Sequence, residues 1–293
     1  MIADCSWPII LNNMVKSIYV VATPIGNLED ITLRALRILK EVDYILCEDK
    51  RVTSRLLNKY KIKTKLISFH KFNESKTIDY VLDLLGGGNT IALVSDAGTP
   101  LVSDPGGKLV SKAHEKGIKV IPIPGASALS STLSASGFEL NDFLFVGFLP
   151  GQKLKREKLI LSFKERSNNV VLFVAPHDLK KYLNEIFKEY PDVHIFYARE
   201  LTKMYEEIWA GSVENLINKI KENNTKGEIV LMLNFGNVKN KTVELSQLEI
   251  LGKLKKYTKE GFSLKEATKI LGEELEMPRK YLYDLYVKES VVN

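Results

Sequence analysis

The chain has 293 residues, 45% hydrophobic and 27% charged, globular values that exclude a disordered or low-complexity protein. Its 42 Lys+Arg against 36 Asp+Glu leave a net charge of +6, which permits an anionic partner without demanding one. Two cysteines, Cys5 and Cys47, exclude a disulfide framework or a zinc cluster; the four histidines (His70, His114, His177, His194) show no metal-ligand spacing, so no metal is expected.

In chain order, residues 1–15 read as a disordered extension that lacks the basic start and long apolar core of a signal peptide. No run approaches the ~20 apolar residues that span a bilayer. A cytoplasmic protein with no membrane partner is the expectation. Strand-like runs then fall at 18–22, 43–47, 65–69, 90–94 and 118–123, separated by helical patterns. That alternation predicts a parallel α/β domain over 16–125 with right-handed crossovers. The first helix is expected over 30–41, where Ile31, Ala35, Ile38 and Leu39 share one stripe and Asp30 is placed as its N-cap. Cys47 ends the run Tyr44-Ile45-Leu46-Cys47 as a small buried hydrophobe.

Three of these runs break into Gly/Pro loops: Thr23-Pro24-Ile25-Gly26-Asn27, Ser95-Asp96-Ala97-Gly98-Thr99-Pro100 continuing to Ser103-Asp104-Pro105-Gly106, and Pro124-Gly125-Ala126-Ser127-Ala128. Ligands of parallel sheets bind at the carboxyl ends of the strands, so three such loops predict one small-molecule pocket made mostly of backbone. The glycine patterns of triphosphate and dinucleotide loops are absent, which weighs against nucleotide hydrolysis and nicotinamide chemistry. Gly26, Gly98 and Gly125 permit close approach or positive φ. Asp96 either accepts from a ligand or shapes an Asx turn, and Ser127 either contacts a ligand or caps a helix. Asp104-Pro105 reads as an N-cap with proline at the first helical position. Glu48-Asp49-Lys50-Arg51 follows the second strand and points toward the same crevice; its plain alternative is a cap with a surface ion pair to Arg55.

Beyond residue 125 the texture changes. Strand candidates at 143–148, 170–175, 194–198, 207–211 and 228–233 include neighbours too close for a helical crossover, which predicts a mixed sheet in a second α/β domain over 126–240. Ala198-Arg199-Glu200-Leu201-Thr202-Lys203 again places charges after a strand. Lys153, Lys155, Arg156 and the basic residues that follow to 166 form either a phosphate track or a solvated helix face. The tail, 245–293, is helical, with nine Lys/Arg against eight Asp/Glu; Phe262–Gly272 and Met277–Tyr286 read as two helices around a turn, either a helix-turn-helix or a hairpin packed on the body.

The segment Tyr19–Arg34, the loops Ser95–Pro100 and Ser103–Gly106, and Ala198–Lys203 together resemble the ribosomal RNA small subunit methyltransferase I family of the tetrapyrrole methylase superfamily. The resemblance runs in order over about 16–240, and the tail is similar to the family's helical extension. It implies a class III methyltransferase fold, two α/β domains with S-adenosylmethionine in the cleft between them, and 2′-O-methylation of a decoding-centre cytidine in 16S rRNA. It further implies 16S rRNA or the small ribosomal subunit as partner, and leaves room for a homodimer, a state found in the superfamily. Carried over by motif, Pro24 and Gly26 would flank the cofactor, Gly98, Thr99 and Val102 would hold its methionine and ribose parts, Ser127 and Ala128 would close the third side, and Phe173 and Val174 would reach in from the second domain. Asp96 is grouped with them as a cofactor residue.

Methyl transfer to a ribose hydroxyl gains from alignment and from a base, and Glu48 or Asp49 is the candidate base by position. Lys50, Arg51, Arg199 and Lys203, extended by Lys153, Lys155 and Arg156, would hold RNA phosphates. Two departures stand out. The family's Glu-Asp-Thr-Arg is Glu48-Asp49-Lys50-Arg51 here, and its Tyr-Glu-Ser-Pro-His-Arg is Phe173-Val174-Ala175-Pro176-His177-Asp178. The competing readings are a superfamily methylase acting on a small substrate such as a tetrapyrrole, and a catalytically impaired ribosome-binding factor.

Overall fold

A computed structural model describes residues 16–221, 225–236, 247–274 and 277–292; the expectations for Cys5 and for residues 1–15 lie outside them. Contacts divide the chain into two compact units, residues 1–237 and 238–293. No helix among the described residues is long and apolar enough to cross a membrane.

The first sheet comprises β1 (Ser17–Val21), β2 (Tyr44–Cys47), β3 (Lys65–Ser68), β4 (Ile91–Leu93) and β5 (Lys119–Ile123), all parallel, in the order β3-β2-β4-β1-β5. Four helices connect them in turn: α1 (Leu33–Glu41), α2 (Lys50–Lys59), α3 (Glu74–Gly86) and α4 (Gly107–Glu115). The period-2 alternation of the strands assigns the faces. Tyr19, Val21, Ile45, Cys47 and Ala92 pack with Ala35, Ile38 and Leu39 of α1 and Leu57 of α2. Ile18, Leu46, Ile91 and Leu93 pack with Ile78, Val81 and Leu85 of α3 and Leu109 and Ala113 of α4. Right-handed crossovers demand this split, because the chain moves one way along the sheet through α1 and α2 and returns through α3 and α4. Adjacent strands β1 and β4 therefore send their connections to opposite faces, and a crevice opens at their carboxyl ends.

Two caps differ from the sequence reading. Asp30 lies in a 3₁₀ turn, and α1 is capped by Thr32, whose hydroxyl accepts from the Ala35 N–H at 3.1 Å. Asp104-Pro105 caps nothing: α4 begins after Gly106, which sits at φ +122° where a side chain is strained. Ser127 does cap a helix, accepting from the Ser130 N–H.

The second sheet follows α5 (Ala128–Ala135) and contains β6 (Leu144–Phe148), β7 (Asn169–Val174), β8 (His194–Arg199), β9 (Glu207–Ser212) and β10 (Ile229–Asn234). Its order is β6-β7-β10-β8-β9; β6 and β7 are parallel and the other pairs antiparallel, the mixed sheet that the short spacings required. The intervening helices are α6 (Lys153–Leu161), α7 (Phe163–Arg166), α8 (Leu179–Glu189) and α9 (Val213–Ile220). One face of the sheet, with Val171, Phe196, Val230 and Met232, packs against Leu129 and Leu133 of α5 and against Ile25 from the loop after β1. Ile25 thus fastens the first sheet's loop into the second sheet's core.

Arg156 belongs to this architecture rather than to any RNA surface. It is 3% exposed, pairs with Glu185 of α8 through two hydrogen bonds at 2.7 and 2.8 Å, and donates to the carbonyls of Pro150 and Gly151. Its guanidinium also lies 5.3 Å from the centre of the Tyr182 ring.

Among its described residues the second unit holds α10 (Gln247–Lys259), α11 (Leu264–Glu274) and α12 (Arg279–Val292), three helices where the sequence pattern suggested two. Ile250, Leu254, Ala267, Leu271 and Leu282 form its own core. A reciprocal cap starts α11: the Ser263 N–H donates to Glu266 and the Glu266 N–H donates back to the Ser263 hydroxyl.

Removing the Arg156 side chain leaves Glu185 and two carbonyls without their partner, so Arg156→Ala is expected to lower the unfolding free energy by about 3 kcal/mol. Urea denaturation measures it; an unchanged midpoint would return this arginine to the surface.

Candidate active site

At the crevice, the Thr23 N–H donates to the Gly98 carbonyl at 2.9 Å and the Gly98 N–H returns a bond to the Thr23 carbonyl at 3.0 Å. The Thr23 hydroxyl donates to the Ser95 carbonyl at 3.2 Å. The Asp49 N–H donates to Asp96 at 2.9 Å, joining the ends of β2 and β4. The Thr99 hydroxyl donates to the Ala126 carbonyl at 3.2 Å, joining the second and third loops. The Asp96 carboxylate thus braces a loop 47 residues away rather than an Asx turn of its own, and Asp96 lines a cavity.

That cavity measures about 400 Å³ and lies between the two sheets' loops, within the range of ligand sites. Of the ten residues expected to hold a cofactor, eight lie on its wall: Asp96, Gly98, Thr99, Val102, Ser127, Ala128, Phe173 and Val174. Pro24 and Gly26 do not. Pro24 is buried off the wall, and Gly26 packs under the loop after β8, where a Cβ would meet the Thr202 hydroxyl at 2.8 Å and the Leu201 carbonyl at 2.9 Å. Their neighbour Ile25 reaches the cavity instead.

Glu48 and Asp49 part company here. Glu48 lines the cavity, and burial first, then the charges of Asp96 and Asp104, hold its acid above the usual carboxylate range. Asp49 caps α2 and receives the Arg51 side chain on both oxygens, which brings its pKa down to about 2. The expected surface pair is thus with Arg51, not Arg55. Asp104, read from sequence as a cap, lines the cavity with its acid also raised, mainly by burial.

Most of the expected phosphate ligands are committed within the fold. Arg199 pairs with Glu207 at 3.0 Å and donates to the Lys226 carbonyl; Lys203 pairs with Glu200 at 2.7 Å and Glu228 at 3.1 Å. Lys153 pairs with Glu157 along α6. Lys50 and Lys155 are exposed.

The wall also includes Phe148 and residues Gly227–Val230, which the sequence reading missed. Pairing explains the second set: β10 runs antiparallel to β7 with Ile229 opposite Val174, so the start of β10 must lie beside the end of β7. Phe148 follows a bulge at Gly147, whose φ of +69° and 2.9 Å approach of a Cβ to the Ser103 hydroxyl exclude a side chain. A bulge of that kind leaves no mark in hydrophobic periodicity.

Residues 17–217 match the profile of the tetrapyrrole (corrin/porphyrin) methylases. The fold is shared with diphthine synthase (TM-score 0.59, 15% identity, covering 76% of this chain and 91% of that one) and with cobalt precorrin-4 methyltransferase, a cobalamin biosynthetic enzyme (0.56, 16%, 75% and 95%). Fold and cavity define a class III methyltransferase that takes its methyl group from S-adenosylmethionine. Proteins named ribosomal RNA small subunit methyltransferase I are similar along most of the chain: that of Halalkalibacterium halodurans is 42% identical over 93% of this chain and 95% of its own. The Bacillus subtilis protein is 38% identical over 92% and 93%, and that of Thermotoga maritima 46% over 73% and 96%. The chain belongs to the tetrapyrrole methylases and, within them, to the ribosomal RNA small subunit methyltransferase I family.

The residues present fit that cofactor, a cation with a flat purine and a polar amino-acid end. Apolar walls come from Ile25, Val102, Phe173 and Val174, and carboxylates of Glu48, Asp96, Asp104 and Glu228 line the same space. Gly98, at φ +82° with Ile25 only 3.3 Å from where a Cβ would stand, lets the backbone itself form the wall. Gly98→Val is therefore expected to weaken S-adenosylmethionine binding by roughly tenfold or more. Calorimetry tests it, and an unchanged affinity would remove the second loop from the site.

Proposed function

We propose that this chain methylates the ribose 2′-hydroxyl of a cytidine in the decoding centre of 16S rRNA. The observation that carries the reading is the identity, 37–46% over most of the chain, to relatives that share the name ribosomal RNA small subunit methyltransferase I. Bound S-adenosylmethionine supplies a methyl carbon on a sulfonium, and its transfer to the hydroxyl oxygen leaves a neutral thioether. Gly98 and Thr99 form the wall against the donor, Val102 adds an apolar contact, Ser127 and Ala128 close the third side, and Phe173 and Val174 cover an apolar face. Asp96 braces the loops and, with Asp104, offsets the donor's positive charge. Fixing donor and acceptor in line contributes up to ~7–11 kcal/mol to the rate.

Glu48 accepts the proton that the hydroxyl loses. A base serves best when its pKa lies near the working pH, so the raised acid of Glu48 suits it and the depressed acid of Asp49 does not. Lys50, exposed at the start of α2, holds a phosphate near the target. The departures at 174 and 178 separate in space. Val174 lines the cavity, whereas Asp178 is engaged by Lys181 at 2.6 Å and by the Tyr182 hydroxyl.

Purified protein, tritiated S-adenosylmethionine and small subunits from cells lacking this gene should give label on a decoding-centre ribose; no label with the donor still bound would end this reading. Glu48→Gln is expected to slow transfer by ~100-fold at saturating donor, while Asp49→Asn, which keeps the cap, leaves turnover nearly unchanged. Because Glu48 must be ionised to act, the rate rises with pH through its raised titration and then levels. The Gln variant should lose that acid limb; a retained limb would assign the proton to another group.

A further inference from the structure

The opposite end of the first sheet carries a second concave surface. Lys40, Lys61, Lys63 and Lys65 surround a groove of about 590 Å³ at the amino-terminal ends of β2 and β3, above the buried Val42 and Ile62. All four lysines are exposed. Among the described residues none of the four has a carboxylate within ion-pair distance, so all four ammonium groups face solvent. One carboxylate, Asp43, lines the groove together with the lysines, and Glu41 is the next acid in sequence. Asp43 accepts from the N–H and the hydroxyl of Thr90 at 2.7 and 2.9 Å, and Glu41 is held by Arg37 at 3.1 Å.

The backbone adds an independent sign. Helix α2 ends with the Ile62 N–H bonded to the Leu57 carbonyl and the Lys61 N–H to that of Asn58, a terminus whose left-handed residue is ordinarily glycine. Here that residue is Lys61, at φ +54°. The chain tolerates a strained lysine at the rim of the groove where glycine would fit without strain.

We propose that this groove grips the phosphate backbone of the RNA at a distance from the target nucleotide, a reading that rests on the rRNA assignment above. Four unpaired cations along an open concave rim suit a strand of successive phosphates better than a flat membrane. Each contact on such a strand releases counterions, which a single small anion does not. The groove and the cavity lie at opposite ends of strands four residues long, on the order of 13 Å apart along the sheet. Contacts in the groove therefore add affinity without touching the chemistry.

The test compares Lys61→Gly and the fourfold variant K40Q/K61G/K63Q/K65Q with the unaltered protein on small subunits and on free 16S rRNA. The fourfold variant is expected to reduce the slope of log affinity against log salt by about 3 and to weaken binding by roughly tenfold or more at low salt. KM for the subunit should rise while kcat and S-adenosylmethionine affinity stay constant. Lys61→Gly alone should weaken RNA binding while raising Tm, a combination that a structural lysine would not give. Unchanged slope and affinity overturn the proposal, even with full labelling of the ribose. A reduced slope without label in any RNA supports the groove and overturns the methylation reading instead.

Discussion

Between the carboxyl ends of β1 and β4, two peptide groups exchange hydrogen bonds, Thr23 with Gly98, and the geometry of the site follows from that exchange. The two strands are neighbours whose connections leave for opposite faces, so nothing in the sheet ladder holds the loops together beyond the last paired residues. The reciprocal pair continues the contact by one antiparallel bridge and turns the second loop back across the first. Gly98 must then adopt a positive φ, and its carbonyl and N–H are spent on the bridge. Leu101 and Ser103 further along the loop also take positive φ, a local strain that only a loop fixed at several points sustains. The bonds from Thr99 to Ala126 and from Asp49 to Asp96 are those further points.

Charge is distributed with a similar division of labour. Glu48, Asp96 and Asp104 gather at the cavity, and their mutual repulsion, added to burial, is relieved by a positively charged ligand. Elsewhere, Arg156 of α6, Arg199 at the end of β8 and Lys203 in the loop after it are struts that tie helices and loops to carboxylates. Lys40, Lys61, Lys63 and Lys65, by contrast, have no such partner among the described residues. A basic residue type therefore says little about a polyanion until its neighbours are known.

The strands were legible because a parallel sheet covered on both faces writes itself as short apolar runs: β1 to β5 fall within a residue or two of their expected limits. The second sheet was legible through its short spacings. The site was readable as loops but less so as side chains. Gly98, Thr99 and Ser127 lie on the wall because their loops follow strands, whereas Gly26, in an equally suggestive loop, turns under Leu201 and Thr202. Whether a glycine faces a ligand or another loop depends on the partner loop, about 175 residues further along the chain at Thr202, which bonds the Asn27 N–H. Arg156 was misread for the same reason, since its partner Glu185 lies on a different helix and no local spacing announces it. The caps failed where a second candidate stood close by: Thr32 two residues from Asp30, and Gly106 two from Asp104.

The burial of Ile25 in the second sheet's core has a consequence for how the two sheets stay together. Its side chain is 7% exposed among Val171, Phe196, Val230 and Met232, yet it stands on the loop that leaves the first sheet. Swinging the sheets apart like a clamshell would draw that side chain into water, at a cost of about 1.5–3 kcal/mol before any polar contact is broken. A cost of that size makes a splayed arrangement rarer than the closed one by roughly ten- to a hundredfold, so the first loop rests in its seat for most of the time. A single apolar side chain thus works as a latch between the two halves, one that biases their register without locking it.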